Sequence, residues 1–180
     1  MVLTTQQEVA LRGVTGDYVR HGALGGADCV IAFSFGYRVA RGTVQPGLSN
    51  RDLAHYVSTQ CPGLPVIAQF EVADAGLGRA LRIERHRARG QYLDTFEVAA
   101  QAQELMLKYG WSKPAIVAHP YHMPRVDAIC LGLGMDTIAP AGLEVVRFDA
   151  KSAQPWTRDS ASCADHELAA IASDHAQGWL

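Results

Sequence analysis

Short apolar runs alternate along this chain with longer segments in which apolar residues recur every three or four positions. Uninterrupted apolar runs are typical of strands covered on both faces of a sheet, and the spaced pattern is typical of helices. The runs predict six strands, at 28–35, 65–70, 80–84, 113–119, 136–140 and 143–148. Strands that alternate with helices favour a Rossmann-like, doubly wound α/β fold, which is a three-layer sandwich around a mostly parallel sheet.

Polar caps mark the helix starts. An oxygen-bearing side chain followed three residues later by an acidic one, at 5–8, 49–52 and 94–97, predicts three of them. Another helix begins around Pro124, whose missing N–H costs nothing in a first turn. We expect a last helix at 164–177. The positions of that helix expected to face inward are Leu168, Ile171 and Ala172.

The sequence contains no internal repeat and no linker that would divide it. A single α/β domain over 1–180 is therefore predicted. Residues 1–27 are predicted to form an N-terminal helical segment of this domain, and residues 28–180 its core. The segment 36–48, which contains glycine and proline, is predicted to be a loop.

The composition is that of an ordinary globular domain. Of the 180 residues, 48% are apolar and 19% are charged, which excludes a disordered chain. The net charge is −2, so we expect no sequence-independent binding to nucleic acid or to an anionic membrane. No apolar run approaches the roughly 18 residues of a membrane span. The oligomeric state is left open, with a homodimer as one option.

The first residues and the cysteines indicate the compartment. Polar and charged residues at 6–8 and Arg12 stand where a secretory signal would be apolar, so we expect a cytoplasmic protein. Reduced thiols are favoured in that compartment. The four cysteines form no Cys-x-x-Cys pair, and Cys29 and Cys130 are interpreted as small core residues.

Candidate chemistry collects at the predicted carboxyl ends of the strands, where ligands bind in open parallel sheets. The acid–base candidates are His119 and His122, after the fourth strand, and Glu84, after the third. Imidazole suits this role because it exchanges protons near neutral pH. The arginines and helix starts at these ends suit an anionic group. The residues expected to bind a ligand are Ser34, Gly36, Arg38, Glu71, Thr95, Tyr121 and Arg125.

Each of these residues also has a purely structural interpretation. His122 can cap a helix, Arg125 and the glutamates can be solvated charges, and the basic loop 85–91 can be a solvated face. His119 and His122 have a spacing that metal ligands use, but the sequence identifies no third ligand, so no metal site is predicted. The sequence contains no G-x-G-x-x-G or Walker motif and no G-x-S-x-G elbow.

Three features follow one another with a helix and a strand between them: Glu84, an Asp-Thr-x-Glu helix start at 94–97, and Tyr-His-x-x-Arg at 121–125. In this order they resemble the YdcF/SanA/ElyC-type domain, long labelled a domain of unknown function. The resemblance covers roughly 28–180, and Glu167 stands at a usual acidic place of the family's closing helix. The first two strand-end loops depart from the family's glycine-rich turns, which predicts an altered ligand.

The resemblance implies a Rossmann-like fold and a nucleotide-like ligand, with S-adenosylmethionine as the candidate for the soluble YdcF type. We expect a small-molecule enzyme that acts on an anionic or nucleotide-like ligand, with His122 as general acid or base and Glu84 as its partner. One alternative is a non-catalytic regulatory module that binds S-adenosylmethionine or a nucleotide. A second alternative is a metal-assisted hydrolase that uses His119, His122 and a glutamate.

Overall fold

The structure is a computed structural model that describes residues 22–180. The helix predicted near residue 5 lies outside the described residues. The strands within them are β1 (Cys29–Ala32), β2 (Tyr37–Ala40), β3 (Thr43–Pro46), β4 (Val66–Gln69), β5 (Leu81–Ile83) and β6 (Pro114–Val117). The α-helices are α1 (Leu48–Gln60), α2 (Phe70–Ala73), α3 (Thr95–Tyr109), α4 (Met123–Gly132) and α5 (Ser160–Ala176). Single 3₁₀ turns lie at Leu24–Gly26, Leu143–Val145 and Pro155–Thr157.

Four parallel strands form the central sheet in the order β5-β4-β1-β6. The first strand of the sheet along the chain is β1. The next two, β4 and β5, are added on one side of it, and β6 is then added on the other side. Helices α3 and α4 pack together over β4, β5 and β6, while α1 packs against β1. This arrangement confirms the predicted doubly wound, Rossmann-like three-layer fold.

The core lies between these layers and is apolar, because both faces of the sheet are covered. Every residue of β1 and β6 is buried. The four cysteines are free and buried, and burial raises the pKa of the Cys29 thiol to about 12. Cys29 and Cys130 are small core residues, as predicted.

The segment 36–48 was predicted to be a loop, and that prediction is wrong. Its first part is an antiparallel hairpin in which β2 pairs with β3. Arg41 and Gly42 connect the strands with φ angles of 52° and 75°, which matches the left-handed pair that a tight two-residue hairpin turn requires. The usual Asn-Gly or Asp-Gly signal is replaced by Arg-Gly, which explains why the sequence pattern missed the turn.

Two other predicted strands are not formed. Segment 136–140 contributes only a single parallel bridge, between Ile138 and Ala115, which extends the sheet beyond β6. Segment 143–148 contains the 3₁₀ turn instead of a strand. Among the described residues, no helix is long and apolar enough to cross a membrane.

The predicted helix caps have different outcomes. Asp94 caps α3 as predicted, because its side chain accepts a hydrogen bond of 2.8 Å from the Glu97 N–H. The cap predicted at Ser49 is wrong, since the residue that precedes α1 is Gly47, two positions earlier. The Ser49 hydroxyl instead donates to the Arg147 carbonyl at 2.6 Å. This hydrogen bond joins the start of α1 to the segment 143–148.

Helix α5 starts earlier than predicted and has a different buried face. Asp159 caps it by accepting from the Ser162 N–H at 2.8 Å. The buried residues are Cys163, Glu167 and Asp174, whereas the apolar positions expected to face inward are only partly buried. Two carboxylates therefore face the protein interior, and this polar face of α5 forms one wall of the candidate site.

Candidate functional site

A cleft of about 650 Å³ lies beyond the carboxyl ends of the central strands. Its walls are the loop 34–36 after β1, the first turns of α3 and α4, and the polar face of α5. The chain leaves β1 toward β4 on one side and returns to β6 on the other, so this is the switch point at which doubly wound folds bind ligands. The volume lies within the range of small-molecule pockets.

The loop after β1 is held by a buried asparagine of α1. The Asn50 Oδ1 accepts from the Phe35 N–H at 2.8 Å, and its Nδ2 donates to the Gly36 carbonyl at 2.6 Å. Gly36 has φ +72°, and a Cβ at this position would collide with the hydroxyls of Thr157 and Ser152. Glycine is therefore required here both for the backbone angle and for the close packing.

The turn between β6 and α4 carries His122 into the cleft. The His119 carbonyl accepts from the His122 N–H at 2.8 Å and from the Met123 N–H at 3.0 Å. Pro124 occupies the first turn of α4, as predicted. His122 precedes the helix without a side-chain cap hydrogen bond, so its imidazole is available to other groups.

Arg125 is the centre of a buried network that joins α3, α4 and α5. Its Nε and Nη2 donate to the two oxygens of Glu167 at 2.7 and 3.0 Å, a bidentate pair. Its Nη1 donates to Thr95 Oγ1 at 3.1 Å and to Asp174 Oδ2 at 3.3 Å. Both Arg125 and Glu167 are less than one-tenth exposed, so the charges are shielded from solvent.

The ring nitrogens of His122 face two of these same residues. Nδ1 lies 3.1 Å from Glu167 Oε1, and Nε2 lies 3.4 Å from Thr95 Oγ1. Burial opposes ionisation of Glu167, but the neighbouring His122 and Arg125 outweigh it and lower the pKa of Glu167 to about 2. The ionised Glu167 carboxylate would accept a proton from Nδ1, and this tautomer, on which the proposals below build, directs the Nε2 lone pair toward Thr95 Oγ1.

The structure does not leave the two predicted anion-binding arginines free. The Nη2 of Arg125 also lies 3.3 Å from His122 Nδ1, so each nitrogen of its guanidinium already faces a polar atom of the protein. Arg38 lies outside the cleft lining. It forms a bidentate pair with Asp149, with both donor–acceptor distances at 2.7 Å. The role of these arginines in holding an anionic group therefore stays a prediction, and of the two only Arg125 lines the described cleft.

His119 is placed in the apolar interior instead of at the cleft surface. Its ring stacks on Phe35 with centroids 3.9 Å apart and lies 4.3 Å from the Phe148 ring. Burial lowers the pKa of His119 to about 3, so the ring is neutral. Tyr121 packs edge-on against Phe148 and does not line the cleft. Neither residue occupies the position that its predicted role requires.

The two predicted glutamates have opposite environments. Glu84 is 64% exposed and pairs with Arg82 at 3.1 Å, outside the cleft; the carboxylate beside His122 is Glu167 instead. Glu71 is buried behind the cleft next to Ser34, and its Oε2 has no hydrogen-bond partner within the described part of the chain. Burial raises the pKa of Glu71 to about 7, and the Ser34 hydroxyl opposes that rise.

Of the predicted site residues, the structure brings Ser34, Gly36, Thr95, His122 and Arg125 to the cleft lining. Sequence reasoning missed Asn50 and Asp174, and it reached Glu167 only through the family resemblance. One signal was present, because the carboxylates at 167 and 174 are seven residues apart and share one face of a helix.

The charges of the cleft bear on which ligands it accepts. Within residues 22–180, one arginine lines it against the three carboxylates of Asp94, Glu167 and Asp174. Burial raises the pKa of Asp174. In the same part of the chain, no three His, Cys, Asp or Glu side chains are arranged to hold a metal ion. The lining therefore favours a neutral or cationic group over an anion.

Comparisons with known proteins add no match. No protein-family model matches the chain, and neither a curated protein nor a solved structure does.

Proposed function

We propose that this protein is a small-molecule enzyme in which His122 acts as general base and acid in the cleft. The observation that carries the proposal is the Glu167–His122 pair, in which a buried, ionised carboxylate lies 3.1 Å from Nδ1. Such a pair orients the imidazole and stabilises the imidazolium that forms when Nε2 takes a proton. Glu167 thereby fills the partner role that the sequence suggested for Glu84.

The rigidity of the supporting residues favours catalysis. His122 precedes α4 and Glu167 belongs to α5, and Arg125 joins the two elements through the bidentate pair. Preorganised polar groups of this kind cost no rearrangement at the moment of reaction. The ordinary role of an isolated helix cap does not need a buried carboxylate and a buried guanidinium behind the imidazole.

The proposed ligand is a small molecule with a neutral or cationic reacting group. A nucleotide-like or adenosyl body suits the cleft by volume, and the resemblance to the YdcF-type domain, which is part of this proposal, points the same way. An anionic portion would lie away from the carboxylates, for example beside His86, which also lines the cleft. The four free cysteines are in keeping with the proposed cytoplasmic location.

A second candidate function is the non-catalytic binding of an adenosyl compound. The observation that favours it is the excess of carboxylates over arginine in the lining, which suits the sulfonium cation of S-adenosylmethionine. Both functions use the same cleft, and they differ in whether the bound molecule is chemically changed.

Ligand screening followed by turnover assays tests the proposal. Purified protein is screened by thermal shift with S-adenosylmethionine, adenosine, nucleotides and carboxylic esters, because a ligand at about 100 times its Kd adds about 2.7 kcal/mol of stability. Hits are then incubated with the protein and analysed by mass spectrometry. We expect turnover that falls by a factor of about 10²–10⁴ in His122→Asn, with binding retained.

Matched variants separate the two candidates. Glu167→Gln should lose turnover, whereas Glu104→Gln, which changes an exposed glutamate of α3, should keep it. Unchanged turnover in His122→Asn contradicts the enzymatic proposal. A saturable ligand that stays chemically intact after long incubation supports the binding module instead.

A further inference from the structure

The hydroxyl of Thr95 has an unusual pair of neighbours. Thr95 is the first residue of α3 and lines the cleft. Its Oγ1 accepts from Arg125 Nη1 at 3.1 Å and lies 3.4 Å from His122 Nε2. With the imidazole proton on Nδ1, where Glu167 would accept it, the Thr95 hydroxyl donates to Nε2 across this contact.

Three side chains therefore form an ordered series. The Thr95 hydroxyl oxygen lies 3.4 Å from Nε2 of His122, and Nδ1 of the same imidazole lies 3.1 Å from the buried carboxylate of Glu167. A hydroxyl, a base and an orienting carboxylate in this order constitute the arrangement that activates a nucleophile in acyl-transfer enzymes. The guanidinium of Arg125 adds a positive charge that stabilises the oxygen as it loses its proton.

Thr95 also stands at the N-terminus of α3, where backbone N–H groups are hydrogen-bond donors. In the first turn of a helix the N–H groups lack intrahelical acceptors. The Asp94 side chain accepts from the Glu97 N–H, while the N–H groups of Thr95 and Phe96 precede it at the positive end of the helix dipole. Donors at this place stabilise negative charge that develops on an oxygen next to Thr95.

We infer that Thr95 is a catalytic nucleophile that attacks an uncharged carboxylic ester, with His122 as its base and Glu167 orienting the imidazole. The inference rests on the proposed function and specifies its reaction class. The lining, with three carboxylates and one arginine whose nitrogens already face protein partners, is unsuited to a phosphate dianion. An uncharged ester meets no such repulsion.

The reaction balances without any added oxidant or reductant. A bond forms between Thr95 Oγ1 and the acyl carbon while the hydroxyl proton moves to His122 Nε2. The ester C–O bond then breaks, and the leaving alkoxide takes that proton, which leaves an acyl-threonine. Water next attacks the acyl carbon and gives a proton to Nε2. That proton returns to Oγ1 as the carboxylic acid departs.

Covalent trapping with p-nitrophenyl acetate tests the inference on the full chain. The protein is mixed with the ester, quenched in acid within seconds, and analysed by intact mass and peptide mapping. We expect one acetyl group at position 95, together with a burst of p-nitrophenol. Thr95→Val should abolish the adduct and lower the rate by about 10³-fold or more. Thr95→Ser keeps a hydroxyl and should retain the adduct.

A matched control is Thr59→Val, which removes an exposed hydroxyl whose hydrogen bonds among residues 22–180 all lie within α1, and it should leave adduct and rate unchanged. Circular dichroism confirms that each variant is folded. Absence of an adduct at position 95, or an adduct and rate that persist in Thr95→Val, overturns the inference. If hydrolysis still depends on His122 in that case, the proposed function stands with water as nucleophile; if it does not, both fail.

Discussion

Two groups of buried ionisable side chains flank the same edge of the sheet, and the protein treats them differently. In the first group, His122, Arg125 and Glu167 are each satisfied by partners on other elements. In the second group, Glu71 and His119 each have a buried polar atom without a partner among residues 22–180. Both groups are buried, so the difference comes from their neighbours and not from their depth alone.

The comparison shows how pairing decides which buried groups are charged. His122 and Arg125 overcome the cost of burial and lower the pKa of Glu167 to about 2, so it stays ionised. Burial raises the pKa of Glu71 to about 7, and burial together with the nearby His122 lowers that of His119 to about 3. An unpaired buried group avoids the cost of desolvated charge by becoming neutral. Charge is thus concentrated where the proposed chemistry needs it.

The largest expected effect comes from breaking the paired group. Glu167→Gln removes the bidentate partner of Arg125 and leaves that guanidinium with Asp174 as its remaining carboxylate. Removing one member of a buried ion pair costs about 3–5 kcal/mol, and we expect a loss of that size in the free energy of unfolding by urea at pH 7. Glu104→Gln should change it by less than about 1 kcal/mol. A similar small loss for both variants would contradict the network.

The next effect is in the unpaired group and depends on pH. The folded pKa of Glu71, about 7, is above its ordinary value of 4.5, so the folded protein binds the proton more tightly. The stability that this proton contributes is fully present below about pH 4.5 and is lost as the pH rises through 7. The amide of Glu71→Gln does not ionise, so the variant does not lose stability in this way as the pH rises. We expect its stability relative to the native protein to be about 2 kcal/mol greater at pH 8 than at pH 5.

Urea unfolding of Glu71→Gln and of the native protein at both pH values measures this difference directly. Glu84→Gln is the control, because Glu84 is exposed. If the stability difference between Glu71→Gln and the native protein does not change with pH, Glu71 is already ionised at pH 5. That result would contradict a raised pKa for this carboxyl group.

His119 should give a somewhat smaller effect with the opposite pH direction. Its folded pKa is lowered to about 3, so stability is present above the ordinary histidine pKa of 6.5 and is lost as the pH falls toward 3. His119→Phe keeps the stacking on Phe35 and cannot be protonated. Relative to the native protein, its free energy of unfolding by urea should gain about 1–2 kcal/mol between pH 7 and pH 5. A constant difference over that interval would show that His119 is not neutralised by burial.

The smallest effect is expected at Glu84, which the sequence placed among the catalytic residues. Because its pair with Arg82 is exposed to solvent, Glu84→Gln should change the free energy of unfolding by less than about 0.5 kcal/mol. It should also leave turnover of any substrate found for the cleft unchanged. A rate loss in Glu84→Gln comparable to that of His122→Asn would show that Glu84 takes part in the reaction and would contradict its placement outside the site.

The parallel sheet was predictable because its signal is local. The apolar runs of β1 and β6 predict buried strands regardless of what packs on them, and the cap at Asp94 follows from neighbouring residues. The hairpin at 37–46 was not predictable in this way, since its turn is built from Arg41 and Gly42 without the usual asparagine.

The site was only partly predictable for a different reason. Strand-end position identified His122 and Arg125, and the helix start at 94–97 identified Thr95. However, the partner Glu167 lies 42 residues beyond Arg125 in the chain. The apolar pattern of α5 predicts that its leucine and isoleucine face inward. It does not indicate that a distant arginine pairs with a buried carboxylate of the same helix. Pairing over such distances is decided by tertiary packing and not by local pattern.

The most direct test of this account is the tautomer of His122 in solution. Protein labelled with ¹⁵N-histidine is studied by long-range ¹H–¹⁵N NMR at pH 8, where an ordinary imidazole is neutral, and His122→Asn assigns the resonance. We predict a proton on Nδ1 and an unprotonated Nε2, with that preference weakened in Glu167→Gln. A proton on Nε2 in the native protein would contradict the account, because His122 would then have no lone pair for Thr95 or for a substrate.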